Sequence, residues 1–492
     1  MPSPTPYDVV VVGTGSGGKI AAIELARQGR RVLAVEAHRF GGECPYVACV
    51  PSKSLLLSGR AGLGWAEAVK RRDAAVDHRD DSGSLRSLTD EGVTVRRGRA
   101  RLTGRAEGGL QVEITPATGP ADTVDAVDTV DMVETVAAEV VVLAPGSRPA
   151  RPPVAGLDAV PTWTSDEALS ATEQPGRLVI LGGGAVGCEL AQAYARLGTT
   201  VHLVEVADGL LPSESPWVGD LVAQGLRDDG VEVSTGVAAQ GAEPTDAGRA
   251  LRLQLADGRS VDADRVLLAG GRTPNADDLG LESVDAVRTE SGAVDVDARC
   301  RVRDSAGQVV SGLYAVGDVT EPSSYTHSAN YQARIVTAEV VGRGYDADYV
   351  AVPRVVYVEP SVFCVGLTAA QARERDVDVV TASMDVGTVE RAALQAAADP
   401  DRYPGGVRGR LELVADRRSG VLVGASCVGP EADSWGAELA LAVRARLDVR
   451  LLAEHLHAFL SWPEAIHPAA RELADQVGAA DPGGPADPGG RT

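Results

Sequence analysis

A strand running into a glycine turn and then a helix occurs twice in this chain, and no other feature limits its fold as strongly. The first copy is a β-branched stretch from Tyr7 to Val12 that opens into Gly13-Thr14-Gly15-Ser16-Gly17-Gly18 and a helical run from Lys19 to Gln28. The second begins at Leu178, where an LVIL run leads into Gly182-Gly183-Gly184-Ala185-Val186-Gly187 and a helix through Arg196. In this G-x-G-x-x-G spacing the first glycine permits the turn and the second lets the backbone reach a pyrophosphate. The third allows close packing while the helix N-terminus faces the anion. After the next strand each copy supplies an acid, Glu36 in RVLAVE and Glu205 in TVHLVE, suited to the hydroxyls of an adenosine ribose. Two such folds predict two nucleotide ligands. Glu205 would repel a 2′-phosphate, and Val206, Ala207 and Asp208 supply no arginine to bind one, so the second site is expected to prefer NADH to NADPH.

The chain's 492 residues suffice for roughly three or four domains. With 47 Lys and Arg against 69 Asp and Glu, the formal net charge is -22, which disfavours nucleic acid and anionic membrane surfaces as partners. No apolar run approaches the ~18 residues of a membrane-spanning helix, and MPSPTPYD lacks the basic start and apolar stretch of a secretory signal. A cytoplasmic location is expected. Six cysteines are too few for a disulfide scaffold, so a close pair points to catalysis.

That pair lies in Gly41-Gly42-Glu43-Cys44-Pro45-Tyr46-Val47-Ala48-Cys49-Val50-Pro51-Ser52-Lys53. Five regular helical steps would separate the two Cα atoms by about 7.5 Å, beyond the roughly 4.4–6.8 Å of a disulfide. The turn must therefore be distorted if they bridge. Pro45 and Pro51 suit a first helical turn or an interruption, and a helix N-terminus lowers a thiol pKa. The anionic neighbour Glu43 is expected to oppose this and raise the Cys44 thiol. Cys188, Cys300, Cys364 and Cys427 read as small buried hydrophobes, and no zinc spacing or other metal motif is present.

The cysteine segment resembles the redox signature of the class I pyridine nucleotide-disulfide oxidoreductases, the FAD-dependent group that includes dihydrolipoamide dehydrogenase and mercuric reductase. The resemblance continues through Ala144-Pro145-Gly146-Ser147-Arg148-Pro149, Gly271-Arg272-Thr273-Pro274-Asn275 and Leu313-Tyr314-Ala315-Val316-Gly317-Asp318. It implies an α/β fold with two Rossmann-like domains, for FAD and NAD, plus a C-terminal α+β dimerisation domain. The expected boundaries are 1–155 and 282–351 for the FAD domain, 156–281 for the NAD domain and 352–476 for the dimerisation domain, with a disordered tail at 477–492. By this similarity Gly13, Gly15, Gly18, Glu36, Gly42, Lys53, Gly146, Asp318 and His327 hold FAD. Gly182, Gly184, Gly187, Glu205 and Gly271 hold NAD(H). Cys49 becomes the thiol that exchanges electrons with the flavin, Cys44 the one that attacks a small disulfide, and Lys53, one of only three lysines, pairs with Glu189.

The resemblance also implies a homodimer in which the C-terminal domain of one subunit completes the other's site. Relatives place an acid–base histidine five residues before a glutamate, but here Phe459 stands five residues before Glu464. His457 offers one substitute, since an extended segment puts it on the same side as Phe459, displaced by about 6.6 Å. His467 offers another, by pairing with Glu464 on one helix face. Ser461-Trp462-Pro463-Glu464 also fits a capping box, a structural role for Glu464. The leading activity is NADH:disulfide electron transfer through FAD and Cys44-Cys49. The alternatives are direct flavin reduction of a quinone, oxygen or a metal ion with the cysteines non-essential, and a non-catalytic FAD-binding redox sensor. Mercuric reductase is disfavoured, as no cysteine follows Cys427.

Two remaining stretches predict irregular structure. Residues 105–138, with Val124, Val127, Val130, Val133 and Val136 at period three, read as an exposed excursion. The terminal DPGGPADPGG reads as a tail without a core.

Overall fold

A computed structural model describes residues 6–107, 109–117 and 132–477. Contacts divide the chain into one compact unit of 1–182, 193–204 and 238–349 and a second of 183–192, 205–237 and 350–492.

In the first unit, β1 (Pro6–Val12), α1 (Ser16–Arg27) and β2 (Val32–Glu36) form the expected strand–turn–helix–strand. The redox segment follows as α2 (Cys44–Val47) and α3 (Cys49–Arg60). Next come β3 (Thr94–Arg97), β4 (Arg99–Ala106), β5 (Gly109–Thr115), β6 (Glu134–Leu143) and β7 (Ser147–Pro149). A second group contains β8 (Thr162–Trp163), β9 (Arg177–Leu181), the end of α4 (Ala185–Arg196), whose residues up to Gln192 belong to the second unit, β10 (Thr200–Val204), β11 (Arg265–Leu268) and β12 (Arg272–Pro274). The strands β13 (Arg301–Arg303) and β14 (Val309–Ala315) and the helix α5 (Thr326–Val340) complete it.

The main sheet has the order β13-β14-β6-β1-β2-β3, with β1 parallel to both β2 and β6. Val9 to Val12 are all buried, as a strand covered on both faces requires. The second parallel array runs β10-β9-β11-β8. Both glycine turns thus leave the carboxyl ends of parallel strands, the place where open α/β sheets bind ligands.

Residues 105–138 are less irregular than their period-three pattern suggests. β5 pairs antiparallel with both β4 and β6, and Val136 is buried in that layer while Val133 is exposed. Strand alternation after Glu134 overrides the repeat. Val124, Val127 and Val130, and the terminal sequence from 478 onward, lie outside the described residues.

The second unit carries an antiparallel sheet of β15 (Arg354–Val356), β16 (Ser361–Gly366), β17 (Val379–Asp385), β18 (Arg410–Asp416) and β19 (Leu422–Gly429), in the order β15-β16-β19-β18-β17. The helices α6 (Ala437–Arg444) and α7 (Ile466–Gln476) contribute Leu439, Ile466 and Leu473 to a core with Leu411, Leu413 and Trp435. No helix among the described residues is long and apolar enough to cross a membrane.

Candidate active site

Each glycine loop is tied to its acid by the same hydrogen-bond pattern. Glu36 Oε2 accepts the Thr14 amide at 2.7 Å and the Thr14 hydroxyl at 2.9 Å, while its Oε1 accepts the His38 amide at 2.9 Å. Glu205 Oε2 accepts the Gly183 amide and its Oε1 accepts the Ala207 amide at 2.7 Å. A carboxylate has about four acceptor positions, so both acids retain capacity for ribose hydroxyls.

The glycines divide by what a side chain would meet. A Cβ on Gly18 would lie 2.0 Å from Gly13 O, whereas one on Gly15 or Gly184 meets nothing within 4 Å. Gly18 thus serves packing, and Gly15 and Gly184 present open backbone, the cradle a pyrophosphate needs. Gly187 lies in the first turn of α4. Gly146 has φ +73° with open space beside it, and the Gly271 carbonyl accepts the Ala150 amide at 2.9 Å.

The thiol segment is docked on the first loop. Gly41 donates its amide to Thr14 O at 3.0 Å, and Gly42, at φ +74°, packs so closely that its Cβ would sit 2.6 Å from Gly15 Cα. Ala48, at φ -140° and ψ -97°, interrupts the helix between α2 and α3. This is the kind of distortion a bridge between the two cysteines would need: Cys49 becomes the first residue of a new helix instead of continuing the old one.

Both thiols are free and half-buried. The Thr326 hydroxyl, at the start of α5, donates to Cys44 Sγ at 3.4 Å and lies 3.8 Å from Cys49 Sγ. The Cys44 thiol is lowered to about 6, chiefly by its hydrogen bond with Cys49, then by Thr326 and by the positive charge of Lys53, against the burial that raises it. Cys49 is pushed far up by the same contact with Cys44 and by burial. The pair therefore holds one thiolate at neutral pH and resists forming a second.

Glu43 does not raise Cys44 as its sequence position suggests. Its Oε2 accepts from Arg272 Nη2 at 2.6 Å, and this guanidinium neutralises the charge before it reaches the sulfur. Arg272 also donates through Nε to Ser147 Oγ at 2.6 Å, and Ser147 donates to Asp318 Oδ2 at 2.8 Å. Sequence reasoning assigned no role to Arg272 or Ser147 and did not place Thr326 against the sulfurs. His327 follows Thr326 on α5, its ring stacked on Tyr325 at 5.2 Å.

In the second unit, buried Glu189 accepts the Tyr357 amide at 3.0 Å. Glu464 closes the expected capping box, accepting the Ser461 amide at 3.0 Å, and makes no pair with His467. His457 and Phe459 have different surroundings. Its side chain is only 6 % exposed and meets Glu438 through Nε2 at 3.1 Å, whereas Phe459 is 73 % exposed. Cys188, Cys300, Cys364 and Cys427 are buried, as expected, and burial raises all four thiols.

Residues 7–337 match the model of the pyridine nucleotide-disulphide oxidoreductases, and residues 352–470 match that family's dimerisation domain. The chain belongs to this family. It is 31% identical over 479 residues to a dihydrolipoyl dehydrogenase of Bacillus subtilis, covering 95% of this chain and 96% of that one. It is 32% identical to the enzyme of the same name from Geobacillus stearothermophilus, covering 95% and 94%. Among solved structures, the Cu(II) complex of the HOCl-induced flavoprotein disulfide reductase RclA from Escherichia coli superposes with a TM-score of 0.82. That match has 25% identity and covers 95% of this chain and 99% of that one. The family uses FAD and a pyridine nucleotide, and the open loops at Gly15 and Gly184 with their acids fit two dinucleotides.

Proposed function

We propose that this chain is an FAD-dependent NADH:disulfide oxidoreductase that moves two electrons between NADH and a small disulfide or dithiol through Cys44 and Cys49. In this reading the first glycine loop, Glu36, Gly42, Gly146, Asp318 and His327 hold FAD, and the second loop with Glu205 and Gly271 holds NADH. FAD supplies the hydride-accepting ring that links nicotinamide to thiol chemistry.

The observation that carries the proposal is the Thr326 hydroxyl, 3.4 Å from Cys44 Sγ and 3.8 Å from Cys49 Sγ, a contact that, beside the Cys49 hydrogen bond and with the positive charge of Lys53, favours a thiolate on Cys44. A thiolate at neutral pH attacks a substrate disulfide, forming a mixed disulfide through Cys44 and releasing one substrate thiolate, which takes up a proton. Cys49 then attacks Cys44 Sγ as its proton passes to the departing sulfur, closing the Cys44–Cys49 bond and releasing the second substrate thiol. Lys53 and Thr326 stabilise the anion between these steps. The dimerisation domain supports a homodimer, and the protein is assigned to the cytoplasm, where reducing conditions keep such thiols cycling.

A second reading passes electrons from the flavin directly to a quinone, oxygen or a metal ion. It is favoured by the exposed Phe459, which carries no proton, and by the engagement of His457 with Glu438. The Cys44→Ser variant separates the two: it keeps NADH reduction of the flavin and loses disulfide turnover in the first reading. Unchanged disulfide turnover in that variant eliminates the first, and quinone reduction that survives in the Cys44/Cys49 double serine variant while disulfide turnover is lost marks the second as a separate activity.

A further inference from the structure

One cluster of metal-binding side chains lies within the second unit and uses none of the residues assigned above, in the proposed function, to thiol or dinucleotide chemistry. Glu438, in the first turn of α6, meets both His455 and His457 of the segment that follows. His455 has extended backbone, at φ -68° and ψ 139°, and extended backbone turns residues i and i+2 to one side. Leu456 between them is 89 % exposed. The H-x-H pair therefore closes on one carboxylate, and in a chain with 7 histidines the convergence is not a by-product of abundance.

The distances suit a shared cation. His457 Nε2 lies 3.1 and 3.3 Å from the two Glu438 oxygens, and His455 Nε2 lies 3.8 Å from Oε1. One ligand atom from each of the three residues falls within 4.8 Å of the others. Donors about 2.0–2.1 Å from a tetrahedral zinc stand about 3.3–3.4 Å apart, so small side-chain adjustments complete the geometry. The two imidazole rings meet edge-on, 4.9 Å apart at 89°, which keeps them from stacking and leaves both nitrogens facing the carboxylate. His457 is nine-tenths enclosed and its Nδ1 has no protein partner among the described residues, so Nε2 is its engaged atom.

We propose that Glu438, His455 and His457 bind one divalent cation of the zinc class, pinning the 455–457 segment to α6. Two imidazoles and one carboxylate select such a borderline ion over magnesium or calcium, which prefer all-oxygen shells. Three protein ligands leave a further position for water. The site lies outside the electron-transfer residues proposed above and does not depend on their function.

The test is calorimetric titration of the FAD-loaded, metal-stripped C44S/C49S protein with zinc chloride, the serines removing thiols that would compete. The expected result is one zinc ion per chain, little heat from calcium, and affinity lower by about 10- to 100-fold or more in His455→Asn and Glu438→Gln. His455 is 56 % exposed, so its variant retains the fold even if that of buried His457 does not. Absence of zinc binding, or binding that both variants leave unchanged, overturns the proposal and reduces the cluster to a histidine–carboxylate hydrogen bond.

Discussion

Arg272 and Glu43, 229 positions apart in sequence, meet at 2.6 Å one residue before the first redox cysteine. The guanidinium cancels an adjacent anion that would oppose the Cys44 thiolate. Glu43→Gln should therefore leave the thiol pKa nearly unchanged, whereas Arg272→Met should raise it by roughly half a unit to one unit. The double variant should return close to the original value. The pH dependence of iodoacetamide alkylation of the reduced protein reads this directly. Since the lowered thiol sits near 6, alkylation should stay fast at pH 7 and fall as pH drops through about 6, where the thiolate gains its proton.

Thr326→Val removes the hydroxyl that touches both sulfurs and should shift the same profile upward, with Thr326→Ser restoring it. A merely structural role for Thr326 would change stability without moving the alkylation midpoint.

Gly15 and Gly18 should separate binding from folding. Gly15 has φ -58°, which alanine adopts readily, so Gly15→Ala should keep the unfolding temperature of the apoprotein and weaken FAD binding at least about ten-fold. Gly18→Ala drives a methyl to 2.0 Å from Gly13 O and should cost roughly 2–4 kcal/mol of stability. Thermal unfolding and flavin fluorescence titration distinguish the two.

Glu205→Gln removes the charge that repels a 2′-phosphate while keeping one carbonyl acceptor for the loop. NADH should show a KM increase of about ten-fold, and the ratio of NADPH to NADH turnover should rise. A ratio that stays fixed would leave the nucleotide preference with other residues.

Phe459→His places an ionisable ring at the slot that relatives fill with histidine. Dihydrolipoamide turnover should rise at least about ten-fold, within the range that general acid–base catalysis supplies, while flavin reduction by NADH stays constant. Stopped-flow reduction alongside steady-state turnover tests both halves.

The parts of this site that a single segment encodes were legible in the sequence. The glycine turns, Glu36 and Glu205 follow from local spacing, and the five-residue cysteine interval pointed to a distorted turn should the two bridge, which the helix break at Ala48 supplies. Contacts between distant segments were not. The charge of Glu43 was visible, but Arg272, its neutraliser, arrives only through β12, which pairs with β7. Thr326 reaches the sulfurs from α5, far along the chain, and His457 turned onto Glu438 because α6 supplies a carboxylate that local spacing does not reveal. Val136 was misplaced for the opposite reason, as a local repeat concealed strand alternation set by pairing with β5.

Electron capacity tests the redox pair most directly. Anaerobic titration of the oxidised, FAD-loaded protein should consume four electrons, two that open the Cys44–Cys49 bond and then two that reduce the flavin, with long-wavelength thiolate-to-flavin absorbance appearing while the dithiol is reduced and the flavin still oxidised. The C44S/C49S protein should take up only the two electrons of the flavin and show no such band. Equal uptake by both proteins, without the band in either, would contradict a dithiol in electronic contact with the flavin.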